Sequence, residues 1–186
     1  MRNYTAHDIA DFYGKYEKYI THVCVAQTRF RVYEKNQQQI DRMLEQVRKD
    51  ICHTLNVFCS SLYKGQSNKA RRNPLKFKPL VFVTIEGINE IANREKTIHA
   101  NIALGNLPKA LTTIELEILF RKAWVRKAHQ INDICFEKAD DYPANIGSFI
   151  GYSLKEAQQT RSKAWSDSSI WDVTNCWIPH AALIED

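Results

Sequence analysis

The chain has 186 residues, of which 44% are apolar, 11% aromatic and 25% charged. This balance is typical of one globular domain with a sizeable core, and it excludes a disordered, collagen-like or fibrous protein. The formal net charge of +5 is mild, so its distribution along the chain matters more than its size. Six basic side chains and no acidic one fall within residues 64–78, which we call the basic segment: Lys64, Lys69, Arg71, Arg72, Lys76 and Lys78.

Membrane and export signals are missing from the sequence pattern. No apolar run approaches the roughly 20 residues that a membrane-spanning helix needs. The first residues include Asp8 and Asp11 and lack the apolar core of a signal peptide. We therefore expect a cytoplasmic protein with no membrane partner. The five cysteines include no CxxC pair, which favours neither a disulfide framework nor a structural zinc site, so we expect them in the core.

The first third of the chain predicts a helix, a strand and a longer helix. Apolar residues at helical spacing predict a short amphipathic helix over 7–20. Alternation predicts a strand over 22–33, with Arg29 and Arg31 on its polar side. A period of 3.6 residues then predicts a long helix over 36–61.

The rest of the chain begins with the basic segment, whose Gly, Ser, Asn and Pro residues are typical of an exposed loop. Alternating apolar residues predict strands over 80–86 and 97–104, joined by a turn. A Thr-x-x-Glu capping box at Thr112 predicts a helix that continues to about 128. The remaining predicted elements are a strand over 131–138, a turn over 143–147, a helix over 148–165 and a Trp-rich tail over 166–186 without a clear period.

This order of elements predicts an α+β fold. We expect an antiparallel-rich sheet of about five strands, with helices packed mainly on one face and the other face free to bind a ligand. No repeat or long linker divides the chain. We therefore predict a single domain over 1–186, with a core over about 20–160.

Three polar residues form the candidate site. His99 and Asn101 are two residues apart on one predicted strand, so they project from the same face. Glu86 ends the preceding strand and lies beside them if the two strands pair. A carboxylate, an imidazole and an amide oxygen suit Mg²⁺ or Mn²⁺. The alternative interpretations are an exposed strand-end charge at Glu86 and a chance His-x-Asn pair.

The order of these parts resembles the HUH endonuclease superfamily, which includes rolling-circle replication initiators, relaxases and some transposases. Residues 22–31 are similar to the first motif of that family, and its acidic strand is similar to Val81-Phe-Val-Thr-Ile-Glu86. The His-hydrophobic-His strand is similar to residues 97–104, with Asn101 in place of the second histidine and a small Ala100 in the middle. Residues 150–156 resemble the Tyr-x-x-Lys signature of virus-type initiators.

The resemblance implies an HUH-type nicking enzyme that cleaves single-stranded DNA. Tyr152 would attack the scissile phosphate, leaving a 5′-phosphotyrosine and a free 3′-hydroxyl. Glu86, His99 and Asn101 would hold Mg²⁺ or Mn²⁺. Lys155 would contact the phosphate or lower the pKa of the phenol. For Tyr152 and Lys155 the alternatives are an ordinary surface tyrosine and a solvated charge, and Tyr142 is a second, weaker nucleophile candidate.

The resemblance also implies the initiation of rolling-circle replication in a plasmid or phage, from a single-stranded origin such as a hairpin. The chain has no GxxxxGK[ST] motif, so a host helicase and polymerase are the expected partners. Two other functions stay open at this point. One is a non-cleaving nucleic-acid-binding protein on the same fold, and the other is a protein-interaction module built on the aromatic N-terminal helix and the Trp-rich tail.

DNA contacts are predicted for Arg29, Arg31 and the basic segment, because phosphate neutralisation needs clustered cations. The basic segment could instead be a solvated run of charge. Phe82 or Tyr33 could stack on an unpaired base, although a core position is the alternative for Phe82.

Overall fold

The computed structural model describes residues 5–64, 66–88, 97–142, 149–154 and 171–179. These residues form an α+β structure with an antiparallel sheet in the strand order β2-β3-β1-β4. The strands are β1 Ile20–Arg31, β2 Leu80–Glu86, β3 Thr97–Gly105 and β4 Ile134–Lys138. The predicted class is confirmed, with four strands where about five were expected.

Four of the described helices follow the predicted order, although the first ends at Gly14 rather than at residue 20, and two one-turn helices lie where a loop was predicted. The helices are α1 Ala6–Gly14, α2 Gln37–Ser61, α3 Lys69–Arg72, α4 Pro74–Phe77, α5 Thr113–Arg121 and α6 Phe149–Ser153. Asn36 and Thr112 form capping boxes that begin α2 and α5, which satisfies backbone N–H groups that would otherwise lack partners. The predicted turn over 143–147 lies outside the described residues, as does the predicted helix beyond α6. No helix in the described ranges is long and apolar enough to cross a membrane.

One face of the sheet carries the larger core. Ile51 and Phe58 of α2 are fully buried against Val83 and Ile102 of the sheet. After Arg121 the α5 helix continues as a π-helix over Lys122–Lys127, which buries Trp124 in the same cluster. Each such side chain contributes roughly 1.5–3 kcal/mol by leaving water. The α2 helix, and α5 with its π-helical continuation, therefore cover this face of the sheet, as predicted.

The second face of the sheet is partly covered by α1 and α6. The expectation that this face is free to bind a ligand was therefore wrong. Tyr13 of α1 lies on Phe82, with 4.6 Å between ring centroids. Phe149 and Ile150 of α6 join the same buried cluster, which includes Ala103 of β3. Phe82 is fully buried, so its core interpretation is confirmed. The cause is the apolar character of α1 and α6, which need a surface on which to pack.

The outer edge of β2 is paired by the segment 171–179. Val81 and Trp177 exchange backbone hydrogen bonds of 2.7 Å, and Thr84 forms a bridge with Trp171. This pairing covers an edge that would otherwise expose unpaired backbone groups. The segment is anchored by buried Asp172, which accepts a hydrogen bond of 2.6 Å from Asn175 Nδ2. Burial raises the pKa of Asp172, although Asn175 and Arg48 act in the opposite direction.

The basic segment lies at the beginning of β2. It contains the one-turn helices α3 and α4, where a loop was predicted. Asn106, just after β3, fixes it by donating hydrogen bonds to the carbonyl oxygens of Lys76 and Lys78. The basic segment and Glu86 therefore lie at opposite ends of β2.

Candidate functional site

Pairing of β2 with β3 brings the three predicted ligands together. Glu86 lies opposite His99 in the register, and Thr84 lies opposite Asn101. His99 Nε2 is 3.3 Å from Glu86 Oε2, and Asn101 Nδ2 donates to the same oxygen at 3.0 Å. Period-2 geometry thus places the imidazole, the amide and the carboxylate on one face. We call Glu86, His99 and Asn101 the polar trio.

The polar trio is largely removed from solvent. Glu86 is fully buried and Asn101 almost so, while the side chain of His99 is 19% exposed. The alternative interpretation of Glu86 as an exposed strand-end charge is therefore wrong. A buried carboxylate is costly unless hydrogen bonds or a cation compensate its charge, so this position demands charged or donor groups around it.

The two ring nitrogens of His99 face different partners. Nδ1 lies 3.3 Å from the carbonyl oxygen of Thr97, which can only accept, so this contact is a hydrogen bond when Nδ1 carries the proton. Nε2 then faces Glu86 Oε2 with a lone pair, unless it carries a second proton. Two lone pairs do not attract each other, so this contact requires either a proton or a cation. A backbone carbonyl that fixes Nδ1–H is also how metal-binding histidines are commonly oriented.

Asn101 is the third member of the polar trio. Its Nδ2 also lies 3.4 Å from Thr84 Oγ1, whereas its Oδ1 is buried and has no hydrogen-bond partner within the described ranges. Because the two ends of an amide have nearly the same shape, rotation by 180° exchanges them. The oxygen would then face Glu86, and the polar trio would offer one nitrogen and two oxygens. This donor set fits Mg²⁺ or Mn²⁺. The described residues contain no cluster of three His, Cys, Asp or Glu side chains, so a site with three protein ligands here would include Asn101.

Two further residues support the polar trio, although the sequence pattern did not single them out. Gly87 has a φ of +85°, and a Cβ there would lie 2.3 Å from the carbonyl oxygen of Thr97 and 3.3 Å from His99 Nδ1. Only glycine therefore allows the approach that orients His99. Thr84 contacts Asn101, and its position two residues before Glu86 was a signal that it shares the face of the polar trio.

Tyr152 lies on α6, which packs on the same face of the sheet as the polar trio, but in the cluster with Leu80 and Phe82, four or more residues before Glu86 on β2. Its ring is half-buried and meets the ring of Tyr142 edge-on at 6.1 Å between centroids. The first and second nucleophile candidates are thus neighbours. Glu17 Oε1 accepts the backbone N–H of Phe149 and fixes the start of α6. Lys155 lies outside the described residues.

The predicted DNA-binding residues divide between the two ends of the sheet. Arg29 and Arg31 are exposed near the end of β1, which pairs with β3 at the level of His99 and Thr97. A buried amide positions this end, because Gln130 accepts the Arg29 N–H and donates to Asp50. These arginines therefore lie at the same end of the sheet as the polar trio.

The basic segment lies at the other end. Six residue steps separate Leu80 from Glu86, which corresponds to about 20 Å of strand. Lys64, Arg71, Arg72 and Lys76 are exposed, whereas Lys69 and Lys78 are half-buried. The ammonium of Lys78 lies 4.1 Å from the centroid of the Trp177 ring. The two groups of cations thus do not form one compact patch.

Comparison of the chain with protein-family models, with curated proteins and with solved structures finds no match.

Proposed function

We propose that the protein is an HUH-type endonuclease that nicks single-stranded DNA through Tyr152 to initiate rolling-circle replication of a mobile element. One observation carries the proposal. His99 Nε2 lies 3.3 Å from the buried carboxylate oxygen Oε2 of Glu86, on the sheet face that also carries α6. Burial of a carboxylate beside an oriented imidazole costs folding free energy, which is more typical of a functional site than of a purely structural one.

The polar trio would hold Mg²⁺ or Mn²⁺. Such a cation, when bound, polarises a phosphate and stabilises charge on its non-bridging oxygens. Glu86 would supply the negative charge. The hydrogen bond of His99 Nδ1 to the Thr97 carbonyl leaves the lone pair of Nε2 free to bind the cation. Gly87 keeps this imidazole in place by admitting the Thr97 carbonyl.

Tyr152 would be the nucleophile. Its phenol loses a proton to solvent, and the phenolate oxygen forms a bond to phosphorus. The bond between phosphorus and the 3′-oxygen breaks, and that oxygen takes up a proton to become a 3′-hydroxyl. The product is a 5′-phosphotyrosine, with an end that a host polymerase could extend after a host helicase opens the duplex.

A second candidate function is a non-cleaving nucleic-acid-binding protein on the same fold. The observation that favours it is the hydrogen bond from Asn101 Nδ2 to Glu86, because an amide that donates to the carboxylate partly compensates its charge without a metal. Exposed Arg29 and Arg31 would bind phosphates in either case.

Detection of a covalent adduct tests the proposal. The protein is incubated with a labelled pool of single-stranded oligonucleotides and Mn²⁺, and the products are separated on a denaturing gel. We expect an adduct that EDTA prevents and that Tyr152→Phe abolishes. Tyr142→Phe is the matched control, because it removes a neighbouring phenol in ring contact with Tyr152, and it should retain the adduct.

Other outcomes discriminate between the two functions. An adduct that survives Tyr152→Phe removes Tyr152 from the mechanism. If the wild-type protein binds the pool in a salt-dependent manner but forms no adduct, the non-cleaving function is correct and the nuclease proposal fails.

A further inference from the structure

We propose that a polar pocket in the basic segment binds one nucleotide unit of a single strand, at the opposite end of β2 from the polar trio. The pocket has a volume of about 270 Å³. Its polar lining consists of two cations, three amides and a hydroxyl: Lys69, Arg72, Gln66, Asn68, Asn73 and Ser67. This volume is below the roughly 300–1,000 Å³ of pockets for drug-sized ligands, so it suits a phosphodiester group or a base rather than a larger molecule.

The hydrogen-bonding groups of this lining are available. Within the described ranges, the side chains of Gln66, Ser67, Asn68 and Asn73 make no hydrogen bonds to other protein groups. Amides offer both a donor and an acceptor, which matches the edges of nucleobases. All four side chains are exposed, so a polar ligand can reach them by displacing water.

One cation of the pocket, Lys69, lies against two aromatic rings. The ammonium of Lys69 lies 4.7 Å from the centroid of Phe77 and 5.4 Å from that of Tyr63. These contacts leave Lys69 half-buried and restrict its motion. Ordering a long side chain before binding reduces the entropy lost when it meets an anion.

The local charge selects an anionic ligand. Residues 64–78 contain six cations and no carboxylate, so no internal partner in this segment neutralises Lys69 or Arg72. Arg72 is exposed at the rim of the pocket. A phosphate with an adjoining base meets both requirements of the lining, namely negative charge and amide-compatible edges. The headgroup of an acidic lipid offers the negative charge but no base edge.

The distance between the two sites defines a footprint. About 20 Å along β2 separates the basic segment from Glu86. At about 3.4 Å per stacked nucleotide, this length corresponds to at least about six nucleotides, because a strand must pass around the helices that cover β2. The inference rests on the proposed function only in taking the same single strand as the ligand. It assigns the pocket to a nucleotide distant from the scissile phosphate.

Binding of an 18-nucleotide oligo(dT) tests the pocket. The double variant Lys69→Gln/Arg72→Gln is compared with the parent by fluorescence anisotropy over a range of salt concentrations, with both proteins carrying Tyr152→Phe. Loss of the one phosphate contact in the pocket should reduce the slope of log K against log salt by about 0.7 on a single strand. This corresponds to about a fivefold loss of affinity at 0.1 M salt.

The control variant Lys122→Gln/Arg126→Gln removes the same charge from exposed positions of the π-helix. It should leave the slope unchanged. Asn68→Ala keeps the charge and should weaken binding several-fold at an unchanged slope, because it removes only an amide. Equal melting temperatures show that each variant folds.

Three results would overturn the inference. They are an unchanged slope for Lys69→Gln/Arg72→Gln, the same reduction of the slope in the control variant, or a variant that binds oligo(dT) normally but no longer binds vesicles containing phosphatidylserine. Adduct formation by the chain with Tyr152 intact is scored separately. If no adduct forms but the slope falls, the nuclease proposal fails and the pocket stands. If an adduct forms and the slope is unchanged, the pocket fails alone.

Discussion

Replacement of Glu86 by Gln should abolish stabilisation of the protein by Mn²⁺. Glu86 is the one carboxylate of the polar trio, and both other members approach its Oε2 atom. Glutamine has nearly the same shape and still offers an oxygen to Asn101. The substitution therefore removes the anionic ligand with little change in packing, and a metal effect can be separated from unfolding.

The expected magnitude follows from linkage. A ligand present at a hundredfold excess over its Kd stabilises the folded state by about 2.7 kcal/mol. In a protein of this size 1 kcal/mol shifts the melting temperature by about 2–4 °C, so wild-type protein should gain about 5–11 °C. Without metal, Glu86→Gln weakens a charge-assisted hydrogen bond by about 1 kcal/mol and also relieves a buried charge. Because these two effects oppose each other, the melting temperature of the metal-free Glu86→Gln variant should differ from that of the metal-free wild type by no more than about 2–4 °C in either direction.

Differential scanning fluorimetry with Mn²⁺, with Mg²⁺ and with EDTA measures these shifts without reference to activity. Glu137→Gln is the matched control, because Glu137 is a half-buried carboxylate of the same sheet outside the polar trio. It should keep the full metal-dependent shift. The reasoning is refuted if neither metal stabilises the wild-type protein, or if Glu86→Gln is stabilised as much as the wild type.

Three further predictions concern other positions. Gly87→Ala should reduce the Mn²⁺-dependent shift, because its Cβ would displace the Thr97 carbonyl that orients His99; an unaltered shift would contradict this. Burial raises the pKa of Asp172 above 3.8, so its contribution to stability is fully present below that pH and is lost as pH rises through the raised folded-state pKa. In urea denaturation, the unfolding free energy of wild type minus that of Asp172→Asn should fall over this window, and a constant difference would disprove the assignment. Partial desolvation, and then the Glu137 carboxylate, raise the pKa of the Cys135 thiol to about 11, although the residue is exposed. Alkylation of this thiol, followed by mass spectrometry, should therefore be slow near pH 8 and accelerate toward pH 11.

Local patterns predicted the elements that form the site. Alternation over 80–86 coincides with β2, and the 3.6-residue period over 36–61 coincides closely with α2. The His-x-Asn spacing put two side chains on one face, and a short connection between neighbouring strands favoured their pairing with Glu86. These features depend on residues close in sequence or on one adjacent strand, which is why periodicity was sufficient.

Long-range packing accounts for what the sequence did not predict. The burial of Glu86 depends on which elements cover the second face, and helical spacing alone does not specify where α1 and α6 pack. The cysteines illustrate the same point: Cys24 and Cys59 are buried as expected, whereas Cys52 and Cys135 are exposed. Gly87 was assigned only to a turn, because its close approach to Thr97 exists only after β2 and β3 pair.

The pairing of β2 on both edges restricts how a nucleic-acid strand could reach the polar trio. β3 occupies one edge and the segment 171–179 the other, so a ligand cannot approach along the backbone of β2. Of the polar trio, His99 alone has appreciable exposure. A phosphate must therefore enter on the side of His99, near the end of β1 that carries Arg29 and Arg31. Replacing both arginines with glutamine should consequently lower adduct yield with short oligonucleotides, which cannot span the roughly 20 Å to the basic segment, whereas Lys69→Gln/Arg72→Gln should lower it only with longer ones.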